Sequence, residues 1–204
     1  QWLPHADDYM AELIRLEGRG DDISHQCGQC CDLLPDGTGL RCEDCHHHGL
    51  YCVHCCVEIH SDLPLHHIKR WTKSHFQSET LKSLGLRLQF GHAPGERCPC
   101  PVHVESFIVL DMTGIHDVRT WFCGCNAAQA PYVQLLRHSW FPATSKNPRT
   151  AATVCLLKQY NILSAMSTVT AAEFYRYLEH LTNKTGLDPP AVSCSYVSSH
   201  SVCL

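Results

Sequence analysis

No stretch of this 204-residue chain approaches the roughly twenty apolar residues that a helix needs to cross a bilayer, so no membrane partner is expected. The opening QWLPHADDYM lacks the basic start and apolar core of a secretory signal. That argues against an oxidising compartment and a disulfide framework, and for an intracellular, reducing one. HExxH is missing, as are GxSxG, a phosphate-binding loop with its lysine and an acidic triad suited to an RNase H-like sheet. Without them the chain is expected to be no enzyme and to have no small-molecule substrate. An initial methionine is missing too, which fits a fragment or an imperfect gene model.

What the chain has in quantity is cysteine, fifteen residues, beside sixteen histidines. Eight of the cysteines fall between Cys27 and Cys56 in three CxxC steps, Cys27/Cys30, Cys42/Cys45 and Cys52/Cys55, and His60 and His66 follow at metal-ligand spacing. Two residues between thiols let the backbone curl until both sulfurs reach one zinc ion at about 2.3 Å. A random chain seldom spaces so many soft ligands so regularly. Four couples make two tetrahedral sites. Their separations suggest an interleaved, cross-braced pairing, with Cys27, Cys30, Cys52 and Cys55 on one ion and Cys42, Cys45, His60 and His66 on the other.

A sequential pairing stays open, and so does the register. Cys31, Cys56 and His67 each adjoin a ligand and could replace it by a one-residue shift; only Cys55 preserves the two-residue step that Cys56 would break. Otherwise Cys31 and Cys56 read as small buried hydrophobes. His46, His47 and His48 read as solvated loop residues.

A second constellation starts at GHAPGERCPCP and is completed by WFCGC. Between them, Phe107–Leu110 and Val118–Phe122 look like two strands joined by a turn at Thr113 and Gly114. Such a hairpin would bring His92, Cys98, Cys123 and Cys125 together as ligands of a third zinc ion, with Cys100 in reserve; buried free thiols are the plainer alternative. His103 and His116 read as surface residues.

Around these ligands the chain looks structural. Residues 5–17 form an amphipathic helix with Tyr9, Leu13 and Leu16 on one stripe and Met10 and Ile14 beside it. Leu50 and Tyr51 should pack beside the metals, with Trp71 and Phe76 covering them, and Lys69, Arg70 and Lys73 read as a solvated face. HSWFPAT reads as an extended connection with Pro142 at an edge. Residues 148–164 read as a helix opened by Pro148 that buries Val154, Leu157 and Tyr160. Residues 171–184 read as another, with a Thr170/Glu173 capping box, an inner stripe of Phe174, Tyr177, Leu178 and Leu181, and Gly186 just past its end.

The expected fold is a set of small α+β zinc-binding modules: an N-terminal helix over 1–22, a cross-braced B-box or treble-clef-like ladder over 23–75, a β-hairpin CxC module with C-terminal helices over 76–190, and an irregular tail over 191–204. Net charge is −4, unevenly shared: residues 1–60 carry 3 basic and 11 acidic side chains, the rest 13 and 9. A site of four thiolates and one divalent ion adds about two further negative charges to the acidic part. DNA binding relies on lysines and arginines that release counterions, so a protein partner is expected for the N-terminal module. DNA contact is left to the more basic remainder.

WLPHADDYMAELIRLEGRGD, the ladder ending CCVEIHSDLPLHHIKRW, GHAPGERCPCP, IHDVRTWFCGC and QLLRHSWFPATSKNPRTAAT together resemble the type-two CxC cysteine cluster associated with KDZ (Kyakuja-Dileera-Zisupton) transposases of fungi, over residues 2–190. The resemblance implies the same ligands, a nuclear location, transposon DNA as the nucleic acid and a separate RNase H-like catalytic domain. The role it implies is that of a zinc-binding accessory to transposition, with about three zinc ions. The ladder alone also resembles the B-box of tripartite-motif proteins, which implies a protein-interaction module, with a ubiquitin-related RING-like role as the alternative. Family members continue past Pro190 into a basic, aromatic helical stretch, whereas this chain runs AVSCSYVSSHSVCL; a frameshift, splice difference or truncation in a transposon remnant is the expectation.

Overall fold

The computed structural model describes residues 3–20, 24–35, 38–47, 49–93 and 95–182 of the chain. It is a small α+β protein carrying cysteine clusters that could bind metal. The chain divides into two units, Gln1–Gly85 and Leu86–Leu204. Asp188 to Ser195, the tail over 191–204 and Gly186 lie outside the described residues.

In the first unit, helix α1 (Ala6–Glu17) precedes a three-stranded antiparallel sheet of β1 (Leu40–Cys42), β2 (Ile68–Trp71) and β3 (Phe76–Glu79), in that order, with helix α2 (Val53–Ile59) between the first two strands. Pairing runs from Cys42↔Ile68 at one end of β1 and β2 to Trp71↔Phe76 at the turn of β2 and β3. The sequence boundary drawn after residue 75 would have left β3 outside this sheet. Leu40 exchanges backbone hydrogen bonds with Tyr51 at 2.9 and 2.8 Å, and the Gly28 amide donates to Leu50 at 2.8 Å. Those bonds bring the first and third CxxC steps to one small core of Cys27, Leu34, Leu50 and Cys55, with Tyr51, Cys52, Trp71 and Phe76 packed against it. Gly39 has no room for a side chain, since an added Cβ would lie 2.8 Å from that of Leu50.

Helix α1 forms where its periodicity places it, but none of its residues is buried. Its C-terminal end is held by Arg41 of β1, whose guanidinium donates to the carbonyls of Gly18 at 2.7 Å and Leu16 at 3.1 Å and lies 3.8 Å from the Phe76 ring centre. A cation there satisfies carbonyls that the end of a helix leaves without partners. Of the basic cluster nearby, Lys69 pairs with Glu43, and Arg70 with Glu79 at 3.0 Å.

The second unit is built on a long antiparallel hairpin, β5 (Pro101–Asp111) and β6 (Gly114–Cys123). Gly114, at φ +140°, sits against Thr182, whose hydroxyl accepts from the Ile115 amide at 2.6 Å. Strand β4 (Leu88–Gln89) runs parallel to β6, while β7 (Trp140–Pro142) and β8 (Thr150–Thr153) extend the other side, giving the order β4-β6-β5-β8-β7. Pro142 lies on an edge strand, where its missing N–H costs least.

Two expectations are corrected here. The helix read over 148–164 is a strand, β8, followed by helix α4 (Val154–Met166), because Thr150–Thr153 is recruited between β5 and β7 and Thr153 caps the helix by accepting from the Leu156 amide. Within α4 the buried residue is Leu156, while Val154, Leu157 and Tyr160 are half-buried. Helix α5 (Ala171–Thr182) keeps its capping box, with Thr170 and Glu173 bonded reciprocally at 2.8 and 3.2 Å. Its inward face carries Phe174, Tyr175 and Leu178, however; Tyr177 is half exposed to solvent and Leu181 only partly buried. Helices α4 and α5 pack on Leu110, Ile115 and Ala152. Phe107, Phe122, Phe90 and Trp140 form a ring-to-ring cluster, with centroids 5.3 to 6.2 Å apart. His103, exposed, stacks on Trp121, and His116 is half-buried and bonded to the Thr113 hydroxyl.

Candidate metal centres

Among the described residues, twelve cysteine and histidine side chains converge in three groups of four, each offering one donor atom per residue with all four within 4.8 Å of one another. The first group is Cys27, Cys30, Cys52 and Cys55; the second is Cys42, Cys45, His60 and His66; the third is His92, Cys98, Cys123 and Cys125. The first two groups alternate along the chain, which is the interleaved arrangement and not the sequential one.

Local structure explains each approach. In the first group, the turn at Cys27–Cys30 is closed by the Cys31 amide donating to the Cys27 carbonyl at 2.9 Å, and Cys31 leaves it at φ +61°, exposed. Cys52 stands just before α2 and its sulfur accepts from the Cys55 amide at 3.5 Å, while the Cys52 amide donates to the Cys27 sulfur at 3.3 Å. The sulfurs of Cys30 and Cys52 are 3.9 Å apart. A tetrahedron of zinc–sulfur bonds has edges of about 3.8 Å.

In the second group, Cys42 ends β1 and His60 ends α2. The Cys42 sulfur is 3.4 Å from Nδ1 of His66, and the Cys45 sulfur is 3.4 Å from the same atom and 3.6 Å from Nε2 of His60. Nδ1 of His60, a buried ring, donates to the Cys56 carbonyl at 2.8 Å, so Nε2 is left with its lone pair toward the sulfurs. The neighbouring residues are held elsewhere. His67 is bound by Asp44, through its amide at 2.6 Å and through its ring at 3.1 Å. Burial pushes the Asp44 carboxyl up, but His67 outweighs it and holds it below the usual carboxylate range. Cys56 is fully buried, and burial pushes its thiol up to about 12.

The third group draws on the loop between β4 and β5, which carries His92 and Cys98, on Cys123 at the end of β6 and on Cys125 just after it. The sulfurs of Cys98 and Cys125 are 3.7 Å apart, and Cys125 lies 3.8 Å from Nε2 of His92, whose Nδ1 faces Glu96 at 3.7 Å. Pro101↔Cys123 pairing places the two cysteine segments side by side at the open end of the hairpin. Cys100 is exposed and contributes its carbonyl, which accepts from the Gly124 amide at 3.0 Å.

Residues that spacing gave no sign of hold this group in place. Gln134, buried on α3 (Pro131–Arg137), accepts from the Cys123 amide at 2.9 Å and donates to the Cys123 carbonyl at 3.0 Å and the Gln129 carbonyl at 2.7 Å. Gln89 accepts from the Cys98 amide at 2.8 Å. Gly91, at φ +85°, is the one residue that fits against Cys123, because an added Cβ would come within 2.6 Å of the cysteine's own. Gln134→Leu is expected to cost about 2–4 kcal/mol, since it leaves a buried amide and carbonyl unpaired. It should also weaken metal binding by about 10–100-fold, as read by competition with a chromophoric chelator.

The thiols do not share one protonation state. Burial pushes Cys27 up, but the amides of Cys30, Cys52 and Gln29 outweigh it and bring it to about 6. The Asp32 amide favours the Cys30 thiolate, yet the Asp32 side chain, burial and Cys27 together raise it to about 11. Burial raises Cys42 to about 12, and hydrogen bonding to Cys123 with burial raises Cys125 to about 11. Cys98, though burial acts against it, is brought to about 7 by the amides of Cys100 and Gly124. Clustered thiolates repel one another, and a divalent cation is the charge that lets all of them ionise together. The donor sets, four sulfurs, two sulfurs with two imidazoles, and three sulfurs with one, all suit a tetrahedral soft-to-borderline ion.

Comparison with curated proteins and with solved structures returns no match. A family model does match over residues 81–186, taking in the third group and leaving the first two outside. It describes the CxC2-like cysteine cluster associated with KDZ transposases, and since it spans more than half of the chain, the protein belongs to that family.

Proposed function

We propose that the chain is a non-catalytic zinc-binding accessory domain of a KDZ-type transposase, working in the nucleus and contacting a protein partner or transposon DNA during transposition. The observation that carries this reading is the convergence of three complete donor sets. Four protein donors fill a tetrahedral shell and leave no position for a reacting water, which supports ions that hold structure. His60 strengthens the case, because its hydrogen bond to Cys56 orients the ring in the manner of a ligating histidine.

Elemental analysis of the purified full chain should give about three zinc ions per molecule, one for each tetrahedral group. A count of one or none would reject the reading. DNA contact by the basic remainder is tested by titrating duplex DNA at two salt concentrations. A phosphate-binding face must lose affinity steeply as salt rises; unchanged or absent binding assigns the chain to protein contact.

The interleaved ligand order favours one second reading, a B-box or RING-like interaction module. A ubiquitin-transfer assay with the full chain tests its RING-like form, and activity no higher than a ligand-mutated control would remove that form.

A further inference from the structure

We infer that the outer face of α1 is a docking site for a basic amphipathic helix of a protein partner. The inference deepens the protein-contact part of the proposed function and rests on it. Tyr9, Met10, Leu13, Ile14 and Leu16 lie on one side of the helix, and their exposure runs from 49 % at Leu16 to 61 % at Ile14. Leu3, in the turn that leads into the helix, is 72 % exposed. A soluble chain seldom leaves so large a contiguous apolar strip in water unless something covers it. A twelve-residue helix is also marginal by itself, so burial of that strip is what would stabilise it.

The borders of the strip say what covers it. Placed at 100° per residue, Asp7 flanks Ile14 on one side and Glu12 flanks Leu16 on the other, while Glu17 falls within the strip at its C-terminal end. Asp8 adds a fourth acid to the helix. The helix has one lysine or arginine, Arg15, which lies on the opposite side and is bound to Glu12 at 2.7 Å. A second copy of this chain would bring acidic borders face to face, and an anionic lipid surface would be repelled in the same way. Lysines or arginines flanking an apolar stripe on a partner helix would meet both features at once. Arg41 completes the arrangement: it grips the C-terminal carbonyls of α1 from β1, which fixes the helix by one end and leaves the strip open along its length.

The test uses the metal-loaded full chain and two labelled peptides of about eighteen residues, patterned as amphipathic helices. One is made of leucine and lysine; its counterpart has glutamate at every lysine. By fluorescence anisotropy the lysine peptide should bind at least about tenfold more tightly than the glutamate peptide, and Leu13→Asp should weaken it by about tenfold or more. Glu12→Lys combined with Glu17→Lys should invert the preference. All three side chains are exposed, so metal content stays unchanged in the variants. Loss of peptide binding with the metal retained therefore bears on this surface alone, and a wild-type chain without metal bears on the proposed function alone. Equal binding of both peptides, or variants that bind like the wild type, would overturn the inference. So would a dimer seen by light scattering that Leu13→Asp dissolves, or binding to phosphatidylserine vesicles that the same variant abolishes.

Discussion

Replacement of Cys52 by alanine is expected to unfold the first unit outright. Cys52 is a donor in the four-sulfur group, its sulfur receives the Cys55 amide at the start of α2, and its own amide reaches Cys27. Two of the four buried residues in the cluster beside Cys52, Cys27 and Cys55, are themselves donors, so losing the ion also undoes the packing of that cluster. A structural zinc site contributes on the order of 10 kcal/mol of apparent binding energy, as much as the whole net stability of an ordinary domain. Cys31→Ala, by contrast, should leave fold and metal content intact, because Cys31 is exposed and outside every donor group. Elemental analysis with near-ultraviolet circular dichroism separates the two outcomes. A Cys52→Ala protein with its full complement of metal would show that the donor set is wrong.

Stripping the metal with a chelator should divide the molecule in two. The amides of β1 and of the Gln26↔Leu33 bridge are expected to lose protection from hydrogen exchange, while those of β5 and β6 keep most of theirs. The reason is the distribution of apolar burial. The second unit has a cluster of Leu110, Ile115, Ala152, Leu156, Phe174, Tyr175 and Leu178 and an aromatic cluster besides, none of which supplies a donor. Acid should act in the same direction as the chelator. Cys30, Cys42 and Cys125 hold their protons up to about 11, 12 and 11, so an ion binds by displacing protons; binding strengthens as pH rises and fails as pH falls. Equal loss of protection in both units would show that the sheet, too, depends on metal.

The parts of the fold that were legible in the sequence are those where chemistry sets the spacing. Thiols two residues apart, a turn between β-rich runs and a threonine three residues before a glutamate each have few alternative meanings, and the ladder, the hairpin and the cap of α5 follow from them. Thr150–Thr153 was opaque because an alanine-rich run after a proline has good helix propensity, and only the long-range choice to lie between β5 and β7 makes it a strand. Tyr175 and Tyr177 differ by a rotation that the position of the sheet decides. At the third group, Gln134 and Gln89 carry no motif, since an amide that clamps a backbone looks like any surface glutamine until the chain folds. Asp44 is similar: its grip on His67, seen in the structure, accounts for which of two adjacent histidines turns toward the sulfurs.

Alternation of the first two donor groups has a consequence for how the chain is born. When Cys45 leaves the ribosome, two knuckles are already outside, yet neither can close a tetrahedron, because the first waits for Cys55 and the second for His66. Early ions are thus held by half-sites that let go easily. Once the final histidine emerges, each ion locks a loop that passes through the other's territory, and the pair should then be captured, and later surrendered, nearly as a unit.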